Sequence, residues 1–486
     1  MSVSHRSRFG GTQRPWFRFA GSTIVLALVV CGLGLIGPLP ARAGSGDQLW
    51  ASVYNGPSSY IDSANSVVVS PDGTLVFATG DAANPGSGED YHTVAYDAGS
   101  GTPVWTQEYN GPGNGEDIAT SIGVSPNGTR VFVAGHSTGV ATNTDFATVA
   151  YDATTGNVLW AKRYDGPAGG ADYTDALAVS PDGGLVFVAG SVAGPTSDDW
   201  ATVAYDAATG RRVWARRYNG PGDGGDWIRA IAPSPDGSRL FVTGASIGTD
   251  GYQAYGTVAY SAATGGIVWA ATYDGDYLGN DLPAAIAVSP DGARLFVTGY
   301  GRGELTLDDW ETVAYDAATG SELWTARLDA AYFWDGANDV GVSPDGSKVY
   351  VTGQIMKGSG NDSRDFLTVS YDSATGQSLW KADYNGPFHG SDIAARLAVS
   401  PDGSRVFVSG MSKGLGHYNF YDLLTLAYDA ATGGSPLWTA RYDGTLHQMD
   451  QPNSMALNPD GSRLFVSGWT LDVGASDDFI TVAYES

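Results

Sequence analysis

Short apolar segments separated by turn-forming residues recur along most of the chain. One stretch shows the pattern: A-I-A-V (285–288), R-L-F-V-T-G (294–299), T-V-A-Y-D (312–316) and L-W-T-A-R-L (323–328). Val, Ile, Phe, Tyr, Trp and Thr dominate these segments, as is typical of β-strands. The intervening S-P-D-G and D-A-A-T-G predict tight turns, because Pro fixes φ and Gly tolerates positive φ. Each stretch is therefore predicted to form four antiparallel strands.

The four-strand unit occurs eight times in the sequence. A repeat of this length is typical of a ring or solenoid of small sheets. S-P-D-G and T-V-A-Y, or close variants, each occur once in every unit. A tryptophan of the fourth strand returns every 54 to 58 residues. These structural tryptophans are Trp50, Trp105, Trp160, Trp214, Trp269, Trp324, Trp380 and Trp438.

A single unit of near-continuous apolar strands has no cover for its two faces, whereas neighbouring units in a closed ring cover each other. The repeat therefore predicts an all-β, eight-bladed β-propeller with four antiparallel strands in each blade. The segment 49–54 reads as a fourth-type strand, and 481–484 as a third-type strand with no fourth strand after it. We expect the N-terminal strand to complete the last blade and close the ring.

The first 43 residues have a different character. Four arginines precede an apolar run from about residue 24 to residue 37, and A-R-A follows at 41–43. This layout is typical of a secretory signal peptide, although retention of the segment as an anchor stays open. We therefore expect residues 1–43 to be a signal peptide and 44–486 to be one propeller domain. The protein is expected to be secreted, extracellular or in the cell envelope, with no membrane span after cleavage.

The net charge of the predicted mature chain limits the classes of molecule that are expected to bind it. Residues 44–486 contain 21 Lys and Arg against 52 Asp and Glu, a formal charge of −31. Nucleic acid and anionic membrane surfaces attract positive charge, so neither is expected as a partner. The single cysteine, Cys31, lies in the predicted signal, so the mature chain has no disulfide, thiolate nucleophile or cysteine metal ligand.

The motif A-Y-D-A-T-T-G-N-V-L-W (150–160) resembles the repeat of PQQ-type quinoprotein propellers, which have eight blades and a Trp on each outer strand. The Y-N-G-P-x-x-G-x-D loops resemble secreted SBBP-type repeats. S-P-D-G-S-K-V-Y-V-T-G (343–353) resembles surface-layer and lactonase-like propellers. Quinone dehydrogenases of the first family bear adjacent cysteines beside the cofactor, which this chain lacks. The resemblance therefore implies the fold, and neither PQQ nor another cofactor is expected.

One aspartate precedes the S-P-D-G motif by eight residues in every unit. These acids fall where the loop from a fourth strand enters the next first strand, which lines the channel of a propeller. They are expected to ring one mouth of the channel and to fix the turns, with weak Ca²⁺ binding as the alternative. The acid ring comprises Asp62, Asp117, Asp172, Asp226, Asp281, Asp335, Asp392 and Asp450.

A second set of acids begins the third strand, usually before an aromatic residue. It comprises Asp90, Asp145, Asp199, Asp309, Asp365, Asp422 and Asp478. Together the two sets predict one strongly acidic face.

The last two units differ most from the others, because three histidines occur in their loops on this face. His389, His417 and His447, with Asp392 and Asp450, are the candidate metal ligands. Ordinary loop histidines are the alternative, because no H-x-H or H-E-x-x-H spacing is present.

These patterns favour an exported, non-catalytic binding or scaffold protein. Its expected partner is an envelope or extracellular protein, or a glycan, bound on the acidic loop face by a monomer. The alternative is a PQQ-dependent dehydrogenase-like or lactonase-like enzyme.

Overall fold

A computed structural model describes residues 45–58, 61–140, 143–303, 308–329, 335–357, 364–414, 420–471 and 476–486. The described residues form 32 strands, arranged as eight four-stranded antiparallel sheets. The predicted eight-bladed β-propeller is therefore confirmed. In the described part of the chain, no helix is long and apolar enough to cross a bilayer.

The innermost strand of each blade contacts the innermost strands of both neighbouring blades, so these eight strands form the wall around the central channel. They are β2 (Ser63–Val69), β6 (Asp117–Val124), β10 (Tyr173–Val179), β14 (Trp227–Pro233), β18 (Leu282–Val288), β22 (Gly336–Val342), β26 (Asp392–Val399) and β30 (Asp450–Leu457).

The two middle strands of each blade are buried along most of their length, because blades cover them on both sides. The second strands are β3 (Leu75–Asn84), β7 (Arg130–Thr138), β11 (Leu185–Ala193), β15 (Arg239–Ile247), β19 (Arg294–Arg302), β23 (Lys348–Met356), β27 (Arg405–Lys413) and β31 (Arg463–Leu471). The third strands are β4 (Gly88–Asp97), β8 (Thr144–Asp152), β12 (Asp198–Asp206), β16 (Gln253–Ser261), β20 (Asp308–Asp316), β24 (Arg364–Asp372), β28 (Tyr421–Asp429) and β32 (Asp477–Glu485).

The outer strands carry the repeated tryptophan and leave their other face to solvent. They are β1 (Gln48–Tyr54), β5 (Pro103–Tyr109), β9 (Val158–Tyr164), β13 (Arg212–Tyr218), β17 (Ile267–Tyr273), β21 (Glu322–Leu328), β25 (Ser378–Tyr384) and β29 (Gly433–Tyr442). Blades 1 to 7 each consist of four consecutive strands beginning at β2, and blade 8 combines β30, β31 and β32 with β1.

The tryptophans join neighbouring blades. Trp214 is 6% exposed, and its ring lies between Phe187 of its own blade and Tyr260 of the next, with centroid distances of 5.9 and 6.1 Å. Its indole N–H donates to the carbonyl of Ala262 at 2.7 Å. A Cβ on Gly265, which has a φ of +67°, would collide with the indole, so this turn requires glycine. The repeated motif D-A-x-T-G…W is therefore the contact that holds successive blades together.

The ring closes as expected, by antiparallel pairing of β1 with β32. The closure also rebuilds a turn from the two ends of the described chain. The Gly46 N–H donates to the Glu485 carbonyl at 3.1 Å, and the Glu485 N–H donates to the Asp47 carbonyl at 2.9 Å. Asp97 makes the same two bonds with Gly101 and Thr102 in the continuous turn of blade 1. Residues 45–47 and 485–486 thus form a split copy of the D-A-x-T-G turn.

Candidate binding face

The two ends of the propeller differ in how the chain connects its strands. At one end lie the S-P-D-G and D-A-x-T-G turns, and we call this end the turn face. At the other end lie the connections from the outer strand to the next inner strand and from the second strand to the third. We call this end the loop face, and it carries both predicted sets of acids.

On the turn face, the aspartates of the repeated turns accept hydrogen bonds from residues of the same turn. In the first S-P-D-G turn, the Ser70 hydroxyl donates to Asp72 at 2.6 Å and accepts the Leu75 N–H at 2.9 Å. Equivalent bonds from Ser343 and Ser347 lower the pKa of Asp345 to about 2. These carboxylates therefore stabilise turns.

The ring acids on the loop face are buried, with at most 2% of each residue exposed. Asp226 shows the arrangement: its carboxylate accepts the N–H of Gly220 at 2.7 Å and that of Ile247 at 3.2 Å. Its own N–H donates to the carbonyl of Asp198 in the preceding blade at 2.9 Å. One aspartate thus joins the incoming loop, the end of its own second strand and the neighbouring blade.

This geometry has the hydrogen bonds that a turn-fixing role requires, because the carboxylate of every ring acid accepts at least one backbone N–H group of its own loop or second strand. Burial raises the pKa of Asp450 to about 7 and the pKa of Asp172 and Asp281 to about 6. The sequence signal for this role is a glycine six residues before the acid, as at Gly220, whose N–H reaches the carboxylate. The Y-N-G-P-x-x-G-x-D loops contain this spacing, but its role as a backbone donor to the acid was not recognised from the sequence.

In four blades a hydroxyl lies beside the ring acid. Thr470 donates to Asp450, and the hydroxyls of Ser137, Ser246 and Ser412 lie beside the ring acids of their blades and partly offset the effect of burial on their pKa.

Blade 5 has Gly301 at the position of this hydroxyl, and a second carboxyl group fills the space. A Cβ on Gly301 would meet one oxygen of Glu311 and one of Asp281. Glu311 is 0% exposed, and neither of its carboxyl oxygens has a hydrogen-bond partner within the described residues. Its nearest ion pair is to Arg327 at 3.5 Å. Burial, followed by the charge of Asp281, raises the pKa of Glu311 to about 8. The sequence had marked neither Glu311 nor Gly301.

The acids that begin the third strands are also buried, and most are paired with a cation of the same blade. Arg163 contacts Asp145 at 2.8 Å and Arg441 contacts Asp422 at 2.7 Å. Corresponding pairs are Arg217–Asp199, Arg327–Asp309 and Lys357–Asp365. Five of the seven acids of this set are therefore paired with a cation inside the fold.

Among the four candidate metal ligands that the structure describes, no three belong to one group of neighbouring ligand atoms. His389 and His447 have φ values of +50° and +52°, the turn position that Asn114 and Asp223 occupy in equivalent loops. His447 instead contacts Asp443 through Nδ1 at 2.8 Å, and 69% of its side chain is exposed. His417 lies outside the described residues.

Groups of three acids with neighbouring oxygens do occur on the loop face, and none of the three groups found among the described residues includes a histidine. Of the proposed ligands, only Asp450 belongs to such a group. The groups are Asp145, Asp165 and Asp172; Asp309, Asp329 and Asp335; and Asp422, Asp443 and Asp450.

Exposed large hydrophobic side chains are distributed unevenly. Among the described residues, eleven lie on outer strands, eight lie on the loop face and none lies on the turn face. Sequence reasoning had noted only scattered aromatic residues near the acids. The eight on the loop face are Ile61, Val140, Tyr173, Trp227, Tyr252, Leu278, Phe388 and Leu446.

Solved structures with similar folds include proteins of different kinds. Sqt1 from Chaetomium thermophilum matches with a TM-score of 0.58 at 15% identity, covering 89% of this chain and 98% of Sqt1. BamB from Moraxella catarrhalis matches with a TM-score of 0.51 at 15% identity, covering 90% and 99%. The quinohemoprotein alcohol dehydrogenase ADHIIG from Pseudomonas putida matches with a TM-score of 0.53 at 16% identity, covering 90% and 76%. At these identities the matches show the fold alone.

No curated protein is significantly similar in sequence. A family model does match, over residues 41–194, 89–246 and 197–466, and these segments overlap to cover most of the chain. The expected kinship with PQQ-type propeller repeats is thereby confirmed. The chain belongs to the PQQ-like propeller family whose model is described as outer membrane protein assembly factor BamB.

Proposed function

We propose that the protein is an exported, non-catalytic binding scaffold of the bacterial envelope or extracellular space, and that a protein or glycan binds to its loop face. The observation that carries the proposal is the uneven distribution of exposed apolar side chains. Exposed apolar residues grouped on one face are typical of interaction surfaces. Of the two ends of the propeller, the loop face carries eight such residues and the turn face carries none among the described residues, while the other eleven lie on the outer strands.

The positions of the acids support binding over catalysis. A catalytic carboxylate must reach its substrate, whereas the eight ring acids are buried and the carboxylates seen in detail bind backbone amides of their own loops. Their raised pKa values have burial as the main cause, and a structural network of this kind perturbs pKa values without catalysis.

Related folds add support of a limited kind. The structure of Sqt1 was solved with the N-terminus of a ribosomal protein bound, and the family model is named for an assembly factor. A quinohemoprotein alcohol dehydrogenase has the same fold, so an enzyme is the rival function.

Photo-crosslinking in the native host tests the proposal. A photoreactive amino acid is placed at Leu278, which is 78% exposed on the loop face, and in a matched variant at Ala208, which is exposed on the turn face. We expect the first variant to give a discrete adduct and the second to give none. Sensitivity of the adduct to protease or to periodate then separates a protein from a glycan.

Equal adducts from both positions, or none from Leu278, would contradict a loop-face partner. PQQ-dependent or metal-dependent turnover by the purified chain would overturn the non-catalytic assignment. Fractionation of the host cells tests export, because a chain found only in the cytoplasm would contradict it.

A further inference from the structure

Three neighbouring loops on the loop face of blades 4 and 5 form one continuous surface. They comprise residues 219–227, 247–254 and 274–281, and we call their surface the acidic sector. The Gly222 N–H donates to the Ile247 carbonyl at 2.9 Å, which joins the first loop to the second. The Asp281 N–H donates to the Gln253 carbonyl at 2.7 Å, which joins the second to the third. The sector is therefore held in one shape.

Each of the three loops presents one large apolar side chain to solvent. Trp227 is 38% exposed, Tyr252 is 42% exposed and Leu278 is 78% exposed. The ring of Trp227 packs against Gly225, where a Cβ would collide with it. Partly exposed aromatic residues beside an aliphatic one are typical of the anchor points of protein interfaces.

The charge of the sector is of a single sign. It carries the exposed acids Asp223, Asp250, Asp274 and Asp276, and no Lys, Arg or His occurs within its three loops. Burial, and then the nearby charge of Asp250, raises the pKa of Asp274, which shows that the acids repel each other.

Cations on the flanking outer strands are already engaged within the fold. Arg217 pairs with the buried Asp199. Arg327 pairs with Asp309 at 2.9 Å and lies 5.0 Å from the ring of Tyr277. Arg302 packs against Gly279 of the third loop. None of the four exposed acids forms an ion pair with a described residue, so their charge is available to a partner. Loops of blades 6 to 8 differ, because they include Lys357, His389, Lys413 and His447.

We propose that the acidic sector docks a segment of a partner protein in which Lys or Arg residues alternate with aliphatic side chains. This inference rests on the proposed function and names the chemistry of the partner. A small cation would use the acids alone and leave Leu278 in water, whereas a basic, apolar segment satisfies both features of the sector. Opposite charges across an interface set the orientation of the partner and accelerate its association.

The test uses the purified chain and a synthetic peptide of about 12 residues built from Lys, Leu and Ser in equal parts. One control peptide has Glu in place of Lys, and another has Ser in place of Leu. We expect saturable binding of the first peptide alone, measured by calorimetric titration at low and at physiological salt. A neutral oligosaccharide serves as a probe of the glycan alternative.

Matched variants decide whether binding occurs at this sector. We expect Leu278→Ser and Asp276→Asn each to raise the Kd about 5- to 10-fold, as loss of an anchor or a facing charge does. Leu446→Ser and Asp165→Asn lie in equivalent loops of other blades, and we expect them to change the Kd less than about 2-fold.

Equal weakening by the two Asp→Asn variants, with no effect of either Leu→Ser variant, would show attraction by the net charge of −31 of residues 44–486 alone, and would overturn the inference. Equal weakening by all four variants would place binding outside this sector and would overturn it as well. Failure of the Lys–Leu–Ser peptide to bind would overturn it too, as would oligosaccharide binding that Leu278→Ser abolishes. In each case the proposed function stands if crosslinking at Leu278 still captures a partner, and it fails with the inference if that position captures nothing.

Discussion

Replacing Glu311 by Gln is expected to stabilise the fold in alkali and to change its stability little in acid. Glu311 shares the space beside Gly301 with the ring acid Asp281. Asp281 already accepts the N–H groups of Gly275 and Arg302 at 2.6 and 2.9 Å. In blade 8 a hydroxyl donates to the ring acid from this side, whereas here the carboxyl group of Glu311 occupies that position. A Gln side chain is similar in size and has no proton to lose.

The magnitude follows from the pKa of the buried group. Burial and Asp281 raise the pKa of Glu311 from 4.5 to about 8, so between these values the folded chain holds a proton that the unfolded chain has released. Stability therefore falls as pH rises through this window. At about 1.4 kcal/mol for each pH unit, the wild type loses roughly 3–4 kcal/mol relative to the Gln variant between pH 5 and pH 9. Asp274, Asp276, Asp309, Tyr273 and Arg327 also act on the pair, and all of them are common to both proteins.

Urea unfolding followed by tryptophan fluorescence measures this difference at pH 5, 7 and 9, without the added ionic strength of guanidinium. Carboxyl groups that do not interact with Glu311 cancel in the comparison of wild type and variant, whereas Asp281 titrates together with Glu311. Glu322→Gln is the matched control, because Glu322 is exposed on the outer strand of the same blade, and its free energy of unfolding should follow the wild type at every pH. If the wild-type and Glu311→Gln free energies differed by the same amount at pH 5 and pH 9, the raised pKa of Glu311 would be refuted.

Three further outcomes are expected. Trp214→Ala should lower the free energy of unfolding by about 3–5 kcal/mol in urea titrations, because it removes a buried ring between two blades; a loss below about 1 kcal/mol would contradict its bridging role. Deletion of residues 44–55 removes β1 and exposes the edge of β32, so light scattering should detect aggregation, and an unchanged melting curve would argue against the closure. Calorimetric titration with Ca²⁺ should detect no saturable site tighter than roughly 0.1 mM, and a stoichiometric site lost in Asp392→Asn or Asp450→Asn would reopen the metal hypothesis.

The fold could be read from the sequence because every level of the repeat agrees. Strand composition, turn residues and the regular return of tryptophan all indicate the same unit. The split between the first and last strands also predicted the closure, since the segment 49–54 has no partner of its own unit before it. The pairing of β1 with β32 confirms this reading.

The chemistry of the loop face was harder to predict, because the sequence does not show which backbone amides a carboxylate binds. A turn-fixing role was expected for Asp226, but its partners, the N–H groups of Gly220 and Ile247, are seen only in the structure. The position of His389 could have been recognised by aligning the loops, since Asn114 and Asp223 occupy the same turn elsewhere. Glu311 was missed because its effect depends on Gly301, ten residues away along the chain and on the adjacent strand.

Residues 45–47 and 485–486 together form one of the repeated turns. The fold therefore does not depend on which blade comes first in the sequence. The hydrogen bonds of the split turn match those of the continuous turns. In a chain without residues 1–44, a short peptide linker could therefore join residue 486 to residue 45 with little strain. The chain could then be cut at another D-A-x-T-G turn, such as the one after Asp206, and circularly permuted without changing a strand pair. Because the closing turn has the same hydrogen bonds as the other turns, any blade could come first in the sequence. Permutants opened at successive turns would therefore show how much each turn contributes to the stability of the same fold.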